Sequence, residues 1–173
     1  MHRRQALLHA AVVPAAIWLC APGCSTSRPV EAAYQPLPPD LPADRWREML
    51  TAAQFRILFE EGTEPPGTSP LLREKRPGVY LCAACYLPLF DSRAKYDSRT
   101  GWPSFYRSLP GRVGTRPDYK LAYRRTEYHC VRCGGHQGHL FDDGPRPTGK
   151  RYCNNGLALV FIPAGETVPE PRG

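Results

Sequence analysis

Seven cysteines punctuate the chain, and their spacing sorts them into chemically different groups. Cys82-Ala83-Ala84-Cys85 and Cys130-Val131-Arg132-Cys133 are two C-x2-C units. A two-residue spacer lets both thiolates of a tight turn face one ion, and two such turns complete a tetrahedral sulfur cage. Zn²⁺ is the favoured occupant; an iron centre could share the ligands, and in an oxidising compartment each pair could instead close its own disulfide. Four thiolates fill zinc's usual shell and leave no position for an activated water, so such a metal contributes folding energy and not catalysis.

Cys153 is then the odd thiol, in Arg151-Tyr152-Cys153-Asn154-Asn155. A buried structural cysteine is the ordinary alternative. Polar and cationic neighbours, in a chain with an export-type N-terminus, point instead to a reactive sulfur.

These residues must be positioned by a small framework. Asp44 to Leu50 puts Trp46, Met49 and Leu50 on one side of a helix. Thr51 can cap a second helix, with Gln54 as its reciprocal partner and Phe55, Leu58 and Phe59 at helical spacing. These aromatics are expected to cover the core, with a peptide-docking surface as the alternative. After Gly62 the pattern changes to short apolar runs, Val79-Tyr80-Leu81 and Leu157 to Ile162, separated by turns such as Leu109-Pro110-Gly111 and Pro147-Thr148-Gly149. The expectation is a mainly β domain, antiparallel, with helices at its N-terminal edge.

The N-terminus reads as a presequence. His2-Arg3-Arg4 precedes an apolar stretch from Leu7 to Leu19 and a small-residue junction at Ala21-Pro22-Gly23-Cys24-Ser25. The junction resembles a lipoprotein box with Cys24 as the lipidated residue. Residues 1–24 are therefore expected to be a signal or lipoprotein-type presequence, 25–42 a flexible linker, 43–165 the catalytic domain and 166–173 a tail. Export to a bacterial periplasm or cell envelope, with lipid anchoring to a membrane, follows as an expectation. The formal net charge of +7 is spread along the chain, and no basic run alternates with aromatics, so no nucleic-acid partner is expected.

From about Leu50 to Pro163 the sequence resembles the methionine sulfoxide reductase B family. The resemblance is carried by Gly78-Val79-Tyr80-Leu81-Cys82, Lys95-Tyr96-Asp97-Ser98, Gly101-Trp102-Pro103-Ser104-Phe105, Arg125-Thr126-Glu127, the run from Gly135 to Pro145, and Thr148-Gly149-Lys150-Arg151-Tyr152-Cys153. It implies two antiparallel sheets with short N-terminal helices and a structural zinc knuckle pair, and reduction of the R epimer of methionine sulfoxide in oxidised proteins or peptides. It also implies that Cys153 is the nucleophile, that His136, His139 and Asn155 are polar active-site residues, that Arg151 is the basic group near the thiol, and that Trp102 receives the substrate methyl. A monomer is expected.

Residue chemistry agrees with those roles. A sulfoxide oxygen is a poor leaving group, so a thiolate attacking the sulfur needs a proton delivered to that oxygen, and histidine supplies one near neutral pH. His139 is the leading acid, with His136 ordering it or sharing the task. Arg151 would share a strand face with Cys153 and favour the thiolate, or else pair with Glu127, Asp142 or Asp143. Asn155 can donate to the sulfoxide oxygen or to the sulfur, or serve as a turn amide. Trp102 offers a flat apolar wall; Phe90 and Phe105 are the other aromatic candidates for substrate contact, although the core suits both better.

Three departures from the family pattern stand out. Thr100 takes the place of a recycling cysteine, after Arg99, so the oxidised sulfur should be reduced by an external thiol from a thioredoxin-like protein or a small molecule. Gln137 replaces an apolar residue, and Gly156 a serine. A zinc-ribbon binding module would leave Cys153 and both histidines unused. A C-x2-C thiol-disulfide exchanger would need metal-free dithiols.

Overall fold

The computed structural model describes residues 42–173; the presequence, Cys24 and nearly all of the expected linker lie outside them. Helix α1 (Ala43–Met49) and helix α2 (Ala52–Phe59) open the domain. Thr51 caps α2 as its sequence suggests: its Oγ1 accepts from the Gln54 backbone N–H at 3.2 Å, and Gln54 Oε1 accepts from the Thr51 N–H at 3.1 Å. Trp46, Phe55 and Leu58 are buried, and Trp46 stacks on Phe59 with centroids 5.3 Å apart, so these aromatics serve the core. Among the described residues no helix is long and apolar enough to cross a membrane.

Among the described residues nine strands follow: β1 (Gly78–Cys82), β2 (Pro88–Asp91), β3 (Lys95–Tyr96), β4 (Ser104–Phe105), β5 (Val113–Asp118), β6 (Arg125–Cys130), β7 (His136–Phe141), β8 (Arg151–Asn154) and β9 (Leu159–Pro163). They form two antiparallel sheets, ordered β2-β1-β9 and β3-β4-β8-β7-β6-β5. Each C-x2-C unit begins at the last residue of a strand, Cys82 on β1 and Cys130 on β6, and continues through a tight turn.

The core is aromatic. Phe90 and Phe105 stack with centroids 4.2 Å apart, and Tyr80 meets Phe105 edge-on at 4.9 Å. Tyr80, Phe90, Phe105 and Tyr128 are each fully buried, so truncating either phenylalanine to alanine costs about 3–5 kcal/mol. This burial corrects the assignment of Phe90 and Phe105 to substrate contact: a side chain closed off on all sides has no surface left to offer a ligand.

One apolar run is divided. Leu157 is not in a strand; Gly156–Ala158 forms a 3-10 turn, and β9 starts at Leu159. The buried Glu64 carboxylate accepts from the backbone N–H groups of Gly156 (2.5 Å) and Leu157 (3.1 Å) and so fixes this turn. A Cβ at position 156 would lie 1.9 Å from Ser69 Oγ, which explains glycine there. Arg172, in the expected tail, donates from its side chain to the carbonyls of Ala83 and Ala84, tying the tail to the first cysteine turn.

Candidate active site

Strand pairing builds the site around Cys153. On β8 it stands opposite His139 of β7 on one side and Ser104 of β4 on the other. Gly138 permits this close strand approach, because a Cβ there would lie 1.9 Å from the Cys153 carbonyl oxygen. A cleft of about 110 Å³ opens beside the sulfur, walled by Trp102, Thr63, His139, Phe141 and Asn155. It has an apolar side and a proton-donating side.

The two expected histidines lie together but do different things. β7 carries one extra residue against β6 between the pairs Tyr128↔Gly138 and His129↔His136. That bulge lets residues three apart share a face, which regular strand alternation forbids. The rings meet edge to face at 5.4 Å. His139 reaches the cleft, whereas His136 is 2% exposed and sits behind it, with Nδ1 2.8 Å from Glu127 Oε1.

His139 Nε2 lies 2.8 Å from Asp118 Oδ2, which also accepts from Arg125 at 2.6 Å. The Lys120 backbone N–H, then His139 and Arg125, hold the Asp118 carboxyl well below the usual carboxylate range. Burial pushes the His139 imidazole below its ordinary value, and the Asp118 hydrogen bond pulls the other way. Burial opposes ionisation of Glu127, yet the nearby His129 imidazole, the His136 hydrogen bond and the Arg116 charge hold its carboxyl down at about 2.

Burial also pushes the Cys153 thiol up from its ordinary value, against the Thr100 hydroxyl and the Arg151 charge, which favour the thiolate. Thr100 Oγ1 lies 3.9 Å from Cys153 Sγ, and Ser98 Oγ is 2.8 Å from Thr100 Oγ1 and 2.7 Å from Ser104 Oγ. Arg151 takes up the ion-pair alternative: it grips Asp143 through Nε (2.7 Å) and Nη2 (2.8 Å) and stacks 4.1 Å above Phe141.

Asn155 and Trp102 are held by one loop. Trp102 Nε1 donates to the Glu64 carbonyl at 3.1 Å, and the Glu64 N–H donates to Asn155 Oδ1 at 3.1 Å. Asn155 Nδ2 donates to the Gln137 carbonyl at 3.1 Å, so its amide is a structural tie as well as a cleft wall. Sequence reasoning missed Asp118, Glu64 and Thr63 as site residues. It quoted Arg125 only within a motif, and Glu127 there and as a possible partner of Arg151, without seeing that Arg125 and Asp118 face each other across β5 and β6.

The four remaining described cysteines gather elsewhere. Their sulfurs all lie within 4.8 Å of one another, with Cys82–Cys133 and Cys85–Cys130 each at 3.6 Å. Zn–S bonds of about 2.3 Å in a tetrahedron place sulfurs roughly 3.8 Å apart, whereas a disulfide needs about 2.05 Å. The cluster is a structural Zn²⁺ site, and none of its cysteines walls the Cys153 cleft. Gln137 belongs to this site as well: its fully buried Nε2 donates to Cys82 Sγ at 3.4 Å.

Comparison with known proteins matches this architecture. The SelR domain family model matches residues 50–163. A protein called peptide methionine sulfoxide reductase MsrB from Agrobacterium fabrum is 50% identical over 119 residues, covering 68% of this chain and 88% of the relative. Its namesake in Leifsonia xyli is 50% identical over 125 residues, 71% of this chain and 90% of the relative. That of Caulobacter vibrioides is 46% identical over 136 residues, 78% and 85% respectively.

Proposed function

This chain belongs to the peptide methionine sulfoxide reductase B family, and from that premise we propose that its cleft reduces peptide-bound methionine-R-sulfoxide to methionine through a sulfenic acid on Cys153. The observation that carries this reading is the placement of His139 opposite Cys153 in a cleft walled by Trp102.

The substrate S-methyl group packs against the Trp102 indole, which its bond to Glu64 keeps upright. Neutral His139 takes the Cys153 thiol proton, and Asp118 steadies the imidazolium that forms. The thiolate attacks the sulfoxide sulfur while His139 returns the proton to the sulfoxide oxygen. The oxygen then passes to Cys153: an Sγ–O bond forms as the substrate sulfur–oxygen bond and the newly made Sγ–sulfur bond both break, which leaves S–OH on Cys153 and the Sγ–sulfur electron pair on the product thioether. Bound Zn²⁺ supplies folding energy through the four cysteines and takes no part in these steps.

A thiol reductant completes the cycle: one external thiol displaces water from the sulfenic acid, and a second thiol releases Cys153 from the mixed disulfide. A thioredoxin-like protein suits that task, because Thr100 offers no second sulfur beside Cys153. Selectivity for the R epimer is supported by the division of the two sulfoxide epimers between two reductase types. The basic start, apolar run and Cys24-Ser25 junction support export and lipid anchoring at the cell envelope.

A stereospecific assay on the two epimers of a sulfoxide peptide, with and without Cys153→Ser, tests the reading. Turnover of the R epimer alone, lost in the variant while zinc stays bound, is expected; equal turnover by the variant contradicts it.

A further inference from the structure

Five large apolar side chains stand exposed among the described residues, and three of them, Tyr119, Leu121 and Tyr123, share the loop joining β5 to β6. They are 70%, 46% and 63% exposed. Hairpin loops ordinarily carry Gly, Asn, Asp or Ser, whose backbone preferences suit the turn. This loop instead reads Tyr119-Lys120-Leu121-Ala122-Tyr123-Arg124.

Both ends of the loop are anchored in the active site. β5 ends at Asp118, which holds His139; β6 begins at Arg125, which walls the cleft and pairs with Asp118. Lys120 is also pinned, its Nζ ion-paired with Glu61, two residues before the cleft residue Thr63. The loop that carries the apolar side chains therefore leaves and re-enters the domain beside the cavity that receives the sulfoxide.

We propose that residues 119–124 are a docking surface for an extended, unfolded polypeptide whose apolar residues flank the oxidised methionine. This rests on the reductase reading and names its substrate class. A cavity of about 110 Å³ accommodates one side chain, so the neighbouring substrate residues must lie outside it, along the rim. Methionine is most often buried and its sulfoxide disrupts the core it came from, so a sulfoxide becomes reachable where the chain has opened and other core residues are exposed beside it. The segment that presents a sulfoxide thus presents apolar neighbours with it. Tyrosine suits such contacts because it offers a large, stiff face at low entropic cost.

The test uses the full chain and three R-sulfoxide substrates: a peptide with apolar flanking residues, the same peptide with serine and glycine flanks, and a blocked single residue. The triple variant Tyr119→Ser, Leu121→Ser, Tyr123→Ser should raise KM for the apolar peptide about tenfold, with kcat unchanged. Kinetics on the polar peptide and the single residue should stay as in the unaltered protein, which also reports correct folding of the variant. An unchanged KM for the apolar peptide overturns the proposal. An equal loss on all three substrates also overturns it, since the loop would then serve only to hold Asp118 and His139. Failure of the unaltered protein on every substrate would instead overturn the reductase reading.

Discussion

His139 and Cys153 are direct cross-strand partners in the β7–β8 ladder. Such partners have Cβ atoms about 4.5–5.5 Å apart, within reach for a proton passing between the side chains or through a bound substrate oxygen. The strand register, more than the sequence spacing, brings these two side chains together.

Replacing His139 with asparagine should lower kcat/KM by about 10²–10⁴-fold, the usual worth of a positioned acid–base group. His136→Gln should cost less activity but more stability, because it disturbs the buried partner of Glu127. Steady-state kinetics and thermal unfolding on both variants check this ordering; a larger activity loss for His136→Gln contradicts it.

The reaction needs one proton shared between Cys153 and His139, so activity should fall on both sides of a broad plateau. The acid limb lies below the ordinary histidine value of 6.5, because burial lowers His139. The alkaline limb lies above the ordinary thiol value of 9.0, because burial raises Cys153. Thr100→Val removes a group that favours the thiolate, so it should move the alkaline limb further up, by roughly half a unit to one unit. Asp118→Asn removes the bond that holds His139 up, so it should move the acid limb down. The pH dependence of Cys153 alkylation gives an independent reading of the thiol.

Glu127 makes folding sensitive to acid. Its folded value of about 2 lies below the ordinary one, so the unfolded chain binds a proton more readily in acid. Its stabilising contribution is complete above roughly pH 5, shrinks as the pH falls through the ordinary carboxylate range, and is gone below the folded value. Glu127→Gln should therefore show a lower melting temperature at neutral pH and a shallower decline on acidification. Parallel melting curves for both proteins across this range contradict the assignment.

Gln137 joins the metal site to the catalytic cleft. Its side chain donates to Cys82 Sγ, while its carbonyl accepts from Asn155 through both the backbone N–H (2.8 Å) and Nδ2 (3.1 Å). Gln137→Leu removes the bond to sulfur and should speed zinc release to a chromogenic chelator about tenfold. Gln137 Oε1 is buried without a partner, so leucine also relieves a desolvated oxygen. Faster metal loss without a matching fall in melting temperature is expected; an unchanged release rate contradicts it.

Local chemistry made much of this molecule legible in advance. The Thr51 capping box, the strand-to-turn placement of both C-x2-C units and the solitary Cys153 each depend on residues close in sequence. Long-range register did not show. Asp118 meets His139 only because β5, β6 and β7 align as they do, and Glu64 reaches Gly156 across 92 residues of sequence. The division of labour between His136 and His139 depends on a bulge that no spacing rule reveals. For Phe90 and Phe105 residue type leaned toward the core while substrate contact stayed open; the packing of two sheets decided it.

A single turnover without reductant reaches the centre of the chemistry most directly. Reduced, zinc-loaded protein is mixed with excess R-sulfoxide peptide, trapped with a sulfenic-acid reagent, and mapped by mass spectrometry. One equivalent of methionine per protein with the adduct on Cys153, and no intramolecular disulfide, is the expected result. Methionine formed while Cys153 remains an unmodified thiol would contradict it.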